Sequence, residues 1–360
     1  MCLFFGRALN RFVCAMLALL LAACDSSDSP LPSTEPADAR VDNAQLAPSE
    51  LVVYSSRAEH LIQPVFDLYT KESGVTINFV TDKAGVLIER LKAEGAQSPA
   101  DVFITVDAGT LGFAAANDLF QPLSSQFVAS TVPTYLRDKN DLWTGLSLRA
   151  RTIVYSTERV SKDQLSTYAA LAESEWEGKL CLRTSKKVYN QSLVAMLISE
   201  KGQERTESIV KGWVGNLALD PTSNDTKLMQ AIMAGQCDVG LVNSYYFGRL
   251  QKEQADLPLA LFWPNQNDAN SGVHVNVSGA GILKSSNNAT LARDFINWLV
   301  SDTAQQIFAG VNQEYPVNAA TAVDAQVASW GQFTQSAQPL SDAYKLQPAA
   351  VKLMDRVGYK

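Results

Sequence analysis

The sequence predicts an α/β fold of two doubly wound lobes joined by two extended crossover strands. From residue 51 onwards, strand and helix patterns alternate as βαβαβ, which favours a parallel sheet with helices on both faces. A second series of strand and helix patterns lies between 179 and 242. Two long extended runs, 146–156 and 273–283, are suited to carry the chain from one lobe to the other and back.

The first lobe is predicted from hydrophobic periodicity. Its helices place apolar residues three and four positions apart, and its strands are short apolar or alternating runs. Gly74 and Gly95 follow the two helical patterns as stop signals. The predicted elements are strand 51–55, helix 59–73, strand 75–80, helix 83–94 and strand 101–105.

The second lobe follows from the same signals, with Gly235 closing its last helix. Its predicted elements are strand 179–183, helices 189–200, 204–216 and 225–234, and strand 237–242, and the later helices are 289–299, 302–309 and 341–357. We therefore expect a first lobe of 51–148 with 275–318 and a second lobe of 149–274. A C-terminal helical segment, 319–360, is expected to pack on the lobes.

The first 23 residues predict a lipoprotein signal peptide. Arg7 and Arg11 form its charged part, and the apolar run after them is too short to span a bilayer. The run ends in LAAC at Cys24, with small residues before the cysteine. Cys24 would then carry the lipid that anchors the protein to a membrane. The alternative is a plain secretory signal with an incidental cysteine.

Residues 24–50 predict a flexible tether, because they are rich in Ser, Pro, Ala and Asp and lack apolar periodicity. Asp25, directly after the cysteine, resembles the inner-membrane retention signal of enterobacterial-type lipoproteins. The expected location is therefore the periplasm, with the lipid anchor in the inner membrane.

Composition and motifs exclude several function classes. The formal net charge is −7 and the chain has no basic run, which makes it a poor partner for nucleic acid. The sequence has no Gly-x-Ser-x-Gly elbow, no Walker loop and no His-Glu-x-x-His motif. We therefore expect no enzyme and no catalytic residues.

Two cysteines remain in the predicted folded part, Cys181 and Cys237. Both lie in short apolar runs, and two neighbouring strands would bring them within bridging distance. An exported protein folds in an oxidising compartment. We therefore expect a disulfide between them, with two free buried thiols as the alternative.

Seven motifs between about residues 50 and 318 carry the functional signal. They are YSSR from Tyr54, DKAG from Asp82, SPADVFITVDAG from Ser98, VYNQS from Val188, NSYY from Asn243, WPNQN from Trp263 and NQEYPV from Asn312.

In order and spacing, these motifs resemble the periplasmic ferric-ion-binding proteins of iron ABC transporters. The resemblance implies a type II, transferrin-like fold with two lobes and a tyrosine-rich Fe³⁺ site in the cleft between them. It also implies an ABC permease with its ATPase as partners, and we expect a monomer.

Three tyrosines of the second lobe match the family's phenolate ligands: Tyr189, Tyr245 and Tyr246. Alone, a Tyr-Tyr pair usually packs in a core or at a rim. Three phenolates would neutralise a 3+ ion, and hard oxygen donors suit a hard cation. Arg249 matches an arginine that supports the tyrosine cluster, and on a helix it would share a face with Tyr245.

The first-lobe ligand is open between two neighbours, Glu59 and His60. Many family members carry His, or His-Tyr, directly after Tyr-x-x-Arg, where this chain has Ala58 and Glu59, with His60 one residue later. Glu59 is a hard oxygen donor, whereas a lone histidine on a helix is usually structural. Some relatives use a Glu at the position of Val106, which cannot ligate.

Four further residues are interpreted as supporting or structural residues, without a role as metal ligands. Arg57 would hold a carbonate-like synergistic anion or pair with a carboxylate at a lobe edge. Asn243 would bond an anion or shape the turn before a helix, and Asp107 would support the site from behind the ligands. His274, in the second crossover, is interpreted as structural, and the stretches around Trp263 and Glu314 as turns.

Two other functions compete with ferric-ion binding. The same fold could bind another cargo, namely Fe²⁺, sulfate, phosphonate or a polyamine. A lipid-anchored envelope adaptor would bind no small ligand at all.

Overall fold

The computed structural model describes residues 49–254, 256–267, 271–340 and 343–360. The predicted signal peptide, Cys24 and nearly all of the predicted tether lie outside these ranges. Within them, the chain forms one mixed sheet of nine strands. The strands are β1 (Glu50–Ser55), β2 (Thr76–Thr81), β3 (Val102–Thr105), β4 (Phe120–Gln121), β5 (Thr144–Ser156), β6 (Leu180–Cys181), β7 (Val239–Asn243), β8 (Leu259–Phe262) and β9 (His274–Leu283).

The strand order of this sheet is β2-β1-β3-β9-β5-β7-β6, with β4 on β9 and β8 on β5. The two long strands β5 and β9 pair antiparallel at its centre, with Leu148 opposite Val277 and Arg151 opposite His274. Every residue of both strands is buried. These are the two crossover strands that the sequence predicts.

Helices cover the sheet, and the first of them, α1 (Glu59–Ser73), follows the predicted apolar spacing. In α1 the buried positions are Ile62, Val65, Phe66 and Tyr69, and Gly74 ends the helix in the left-handed conformation with φ 73°. The helices are α1 (Glu59–Ser73), α2 (Ala84–Glu94), α3 (Ala108–Ala116), α4 (Gln126–Thr131), α5 (Val188–Lys201), α6 (Gln203–Gly215), α7 (Asp225–Met233), α8 (Ser244–Glu253), α9 (Ala289–Leu299), α10 (Asp302–Asn312), α11 (Ala325–Ala328) and α12 (Ala343–Arg356).

The apolar core is divided on either side of the crossover strands, giving two lobes. One cluster includes Phe66, Phe103 and Trp143 and joins β1–β4 with α1–α3 and α9. We call this part the first lobe. The second lobe has its own clusters, which include Trp176 and Trp213 and draw in the apolar face of α12. No described helix has the length and apolarity to cross a bilayer.

A disulfide joins Cys181 at the end of β6 to Cys237 just before β7. The two strands are parallel neighbours, with Cys181 opposite Gly240, and the two Cα atoms lie 6.0 Å apart. This separation is in the range that a disulfide requires. The bond therefore links two strands of the second lobe.

Several elements differ from the sequence prediction. Helix α3 was not predicted, because its Ala- and Gly-rich residues give no polar face and most of them are buried. Helix α10 continues past the predicted stop at Gly310, which does not adopt a positive φ. The predicted strand 179–183 shrinks to Leu180–Cys181, and Arg183 forms only an isolated bridge to Thr222.

Candidate metal centre

The three predicted tyrosines lie in the first turns of two helices of the second lobe. Tyr245 and Tyr246 follow β7 at the start of α8, and Tyr189 is the second residue of α5. The rings of Tyr245 and Tyr246 are 4.5 Å apart, centroid to centroid. Helices that begin where strands end bring their first turns to one edge of the sheet.

These tyrosines border a cavity of about 280 Å³ that both lobes and the crossover strands line. The described lining residues are Ser56, Arg57, Ala58, His60, Leu61 and Val106 from the first lobe, Arg149 and Ser278 from the crossover strands, Tyr189, Tyr245, Tyr246 and Arg249 from the second lobe, and Glu314.

Tyr245 is the most deeply buried of the three tyrosines. Its hydroxyl accepts a hydrogen bond of 3.3 Å from the side-chain amide of Asn243. Burial raises the pKa of Tyr245, and the neighbouring Tyr189 and Tyr246 reinforce the effect. The hydroxyl of Tyr245 therefore stays protonated near neutral pH unless a cation displaces the proton.

Three guanidinium groups lie against the tyrosine rings. Arg249 is 4.8 Å from the ring centroid of Tyr245. Arg149 and Arg183 are 5.3 and 5.1 Å from that of Tyr189. Because arginine keeps its positive charge in proteins, these groups favour negative charge on the phenol oxygens.

Of these arginines, only Arg249 was predicted. Arg149 and Arg151 occupy neighbouring inner positions of β5, a strand whose residues are all buried. Charged residues are rarely buried unless they have partners. Two arginines in a crossover strand could therefore have indicated a buried polar site. Arg183 gave no comparable signal, because it lies at the end of a short apolar run.

The first lobe presents His60, and not Glu59, to the cavity. His60 is the second residue of α1 and lines the wall together with Ala58 and Leu61. Glu59 precedes it in the same turn, is exposed, and is not among the lining residues. Val106 also lines the cavity, and its carbonyl accepts a hydrogen bond from Arg149.

Arg57 is buried at the cavity wall and forms an ion pair with Glu314. The distance from its Nη2 to the Glu314 Oε2 is 3.0 Å, and its Nη1 donates to the Ser278 hydroxyl at 2.7 Å. The Glu314 carboxylate also accepts from Ser147. Two roles were predicted for Arg57, binding an anion and pairing with a carboxylate, and the observed geometry corresponds to the second. The stretch around Glu314 was interpreted as a turn, and this interpretation did not include a buried ion pair.

Asn243 and Asp107 lie behind the cavity wall. Asn243 accepts a hydrogen bond of 3.1 Å from Arg151. Asp107 caps α3 and accepts hydrogen bonds from Ser192 and Asn276. Asp107 therefore ties the first lobe to α5 and to the crossover strand β9, and it is not a lining residue.

His274 lies on β9 among buried neighbours. Burial and the positive charges of Arg149 and Arg151 lower its pKa to about 3. Its imidazole is therefore neutral at physiological pH, and its main-chain amide donates to the hydroxyl of Tyr168.

Three phenol oxygens and one imidazole line the cavity, together with serine hydroxyls and the Glu314 carboxylate, which is paired with Arg57. Within the described residues, no group of three His, Cys, Asp or Glu side chains that could hold a metal is present. Hard anionic oxygens match small, highly charged cations. The arrangement can therefore bind a trivalent metal ion once the phenols lose their protons.

Comparison with known proteins identifies the family. A family model described as "Bacterial extracellular solute-binding protein" matches residues 97–335. Iron uptake protein A1 of Synechocystis is 39% identical over 98% of this chain and 96% of its own length.

Two solved structures share the fold. A Trichodesmium protein (IdiA, FutA) in complex with iron and citrate is 42% identical, with a TM-score of 0.81 over 87% of this chain and all of that one. The ferric binding protein of Campylobacter jejuni is 30% identical, with a TM-score of 0.81 over 86% of this chain and all of that one. The chain therefore belongs to the periplasmic ferric-iron-binding proteins of the bacterial extracellular solute-binding family.

Proposed function

We propose that this chain captures Fe³⁺ in the cleft between its lobes and delivers it to the permease of an ABC importer. The observation that carries the proposal is the convergence of three tyrosines on one cavity with guanidinium groups against their rings. The relatives support it, since one is named for iron uptake and one was solved with iron and citrate.

Tyr189, Tyr245 and Tyr246 are the proposed iron ligands of the second lobe. As phenolates they supply three negative charges, which balance the charge of Fe³⁺. The metal itself must drive their deprotonation, because a free phenol has a pKa near 10. His60 is the proposed ligand of the first lobe, because it lines the cavity and Glu59 does not.

Iron would bind in two stages. The open protein takes Fe³⁺ onto the tyrosines of the second lobe, and closure of the lobes then adds His60 and removes water. Closure is a shift in population towards the state in which both lobes contact the metal. The closed form docks on the permease, and iron leaves when the lobes reopen.

An anion is the proposed companion of the metal. Arg149 and Arg249 line the cavity, and neither has a carboxylate partner among the described ion pairs. A carbonate-like anion or a bound chelator would complete the coordination and satisfy these charges. Arg57 is less available, because Glu314 already pairs with it.

The proposed cellular setting follows from the N-terminal sequence. Cleavage before Cys24 and lipidation of that residue would anchor the protein to the inner membrane, on the periplasmic side. Residues 24–50 would then tether a monomeric binding protein close to its permease. We propose no catalytic residue.

Titration with Fe³⁺ citrate tests the proposed ligand set. Wild-type protein should develop the visible absorbance of an iron–phenolate complex. Replacing Tyr189, Tyr245 or Tyr246 singly by Phe should weaken the band and lower affinity by about tenfold or more, since each change removes one anionic donor. Tyr155→Phe is the matched control, because this buried tyrosine of the second lobe does not line the cavity.

The same titration distinguishes the two first-lobe alternatives. His60→Ala should weaken iron binding, whereas Glu59→Ala should leave it unchanged. The reverse result would assign the ligand to Glu59. A colourless wild-type mixture would contradict Fe³⁺ binding and favour another cargo, and the absence of any ligand-induced thermal shift would favour an adaptor.

A further inference from the structure

A buried carboxylate lies behind the tyrosine cluster, between two buried arginines. Asp225 is the first residue of α7 and is fully buried. Its carboxylate is 3.1 Å from Arg151 Nη1 and 3.5 Å from Arg183 Nη1, and it also accepts the main-chain N–H of Asn243 at 2.9 Å. Asp225 does not line the cavity, so a metal ion bound in the cavity would not contact this carboxylate.

One oxygen of this carboxylate leads to Tyr246. Oδ1 faces Arg183, whose Nη1 lies 3.4 Å from the Tyr246 hydroxyl. The Arg183 guanidinium is also 5.7 Å from the centroid of the Tyr246 ring. A single arginine thus contacts both the carboxylate and the phenol.

The other oxygen leads to Tyr245. Oδ2 accepts from Arg151, which also donates to the side-chain oxygen of Asn243 at 3.1 Å. The amide of Asn243 in turn donates to the Tyr245 hydroxyl. The two oxygens of one carboxylate therefore connect, through one arginine each, to the two adjacent tyrosines.

The third tyrosine adjoins the same network. Arg151 Nε donates to the side chain of Asn190 at 2.9 Å, and Asn190 follows Tyr189 in the first turn of α5. Arg183 lies 5.1 Å from the ring of Tyr189. All three tyrosines thus border side chains that Asp225 holds in place directly or through Arg151.

The charges of this network do not cancel internally. Two buried guanidinium groups face one buried carboxylate, which leaves an excess positive charge beside the phenol oxygens. Burying unbalanced charge is costly. Phenolates formed on metal binding would place negative charge on the oxygens next to these guanidinium groups, although the metal with its three phenolates is neutral as a whole. A purely structural ion pair would need no such excess.

We propose that Asp225 is a positioning residue of the iron site, which acts through Arg183 and Arg151 to hold the phenol oxygens and to keep positive charge against them. This inference rests on the proposed function, since it concerns the same tyrosines. The carboxylate fixes the two arginines, and the arginines and Asn243 orient the donor atoms. The site is thereby organised before the metal arrives.

Absorbance titration with Fe³⁺ citrate tests the role of Arg183. Arg183→Gln should shift the iron–phenolate band to longer wavelength. Without the positive charge of Arg183, the electrons of the Tyr246 oxygen lie at higher energy, so their transfer to iron requires less energy. It should also lower affinity by about tenfold or more, as expected for a hydrogen bond to a charged group. Arg183→Lys should restore part of the shift, because it keeps the positive charge.

The same measurement on Asp225→Asn tests the carboxylate itself. This variant should move the band and lower affinity in the same direction as Arg183→Gln, because the arginine loses its anchor. Asp101→Asn is the matched control. Asp101 is also buried and accepts from the main chain of Val52 and from Ser286, but it lies in the first lobe outside the cavity wall. It should lower the melting temperature and leave the band unchanged.

Folded Arg183→Gln and Asp225→Asn proteins with the wild-type band and affinity would overturn the proposal. If Asp225→Asn does not fold, the two Arg183 variants decide, and equal spectra for Gln and Lys would contradict a role for charge. A wild-type protein without the band would refute the proposed ligand set. If only the role of Asp225 is wrong, the wild-type protein should still develop the iron–phenolate band.

Discussion

Burial, more than residue type, sets the properties of single residues at this site. Tyr245 is an ordinary tyrosine whose pKa rises because it is buried beside two other phenols. His274 is an ordinary histidine that burial and two guanidinium groups keep neutral. Neither property can be read from the residue type, since each depends on what surrounds the side chain.

The buried histidine gives an expectation about pH. His274 has a pKa of about 3 in the folded protein, whereas an unfolded chain protonates histidine near 6.5. Between these values the unfolded state binds more protons, so stability falls as the pH decreases through this window and is unaffected above it. The slope from this one residue is at most about 1.4 kcal/mol per pH unit.

His274→Gln should remove that contribution. We expect the free energy of unfolding, measured with urea between about pH 7 and pH 4, to fall less steeply in the variant than in the wild-type protein. Above about pH 7 the two curves should run parallel, which is the internal control. Equal slopes below pH 6 would show that His274 becomes charged inside the folded protein.

The crossover strands are the elements on which the whole arrangement depends. Strands β5 and β9 carry Arg149, Arg151 and Ser278 to the site and pair with each other between the lobes. Their close approach requires small residues at the contact. A Cβ atom on Gly279 would lie 2.5 Å from the carbonyl oxygen of Thr144.

Gly279→Ala should therefore destabilise the protein. The clash is with a main-chain atom of the partner strand, which cannot move without disturbing the pairing, so we expect a loss of about 1–3 kcal/mol. Urea unfolding measures it. Gly215→Ala is the matched control, because Gly215 lies at the end of α6 and the added carbon would meet no atom within 4 Å outside its own turn of the helix. Equal stabilities of the two variants would contradict the close strand contact.

Across the whole molecule, the C-terminal helix α12 links the two lobes. Its residues Leu353 and Met354 belong to the core of the second lobe. Gln347 donates to Asp107 of the first lobe at 3.0 Å and to Ser192 of the second lobe at 3.2 Å. These bonds hold the lobes in the arrangement that encloses the cavity.

Gln347→Ala should shift the population towards open forms. Loss of these hydrogen bonds costs about 1 kcal/mol in net stability of the closed arrangement, so we expect iron affinity to fall by about fivefold. Small-angle X-ray scattering of the metal-free protein should show a larger radius of gyration. Gln306→Ala changes an exposed side chain of α10 that donates to Asp302, and it should change neither measurement. A scattering curve identical to that of the wild-type protein would contradict a linking role for α12.

Much of the fold was predictable from the sequence, because strands and helices follow local periodicity. Predicting the crossover strands, α1 and α5 required only the spacing of apolar residues and the glycines that end the helices. Helix α3 was missed because its small residues are buried on most sides and carry no period. Of the cavity-lining residues, the three tyrosines lie in the VYNQS and NSYY motifs, and Arg249 was assigned by its match to the family. Arg149 lies in none of the seven motifs, and Glu314 lies in NQEYPV but was interpreted as part of a turn.

By itself, the sequence determined the order of the elements that have an apolar period or a stop signal and the presence of the tyrosine motifs, because each of these is a local pattern. Only the tertiary structure decided which charges meet. Arg57 pairs with Glu314 across 257 positions, and Arg151 pairs with Asp225 across 74. Charges interact through space, so the partner of a buried arginine is determined by how strands and helices pack, and no local pattern in the chain encodes it.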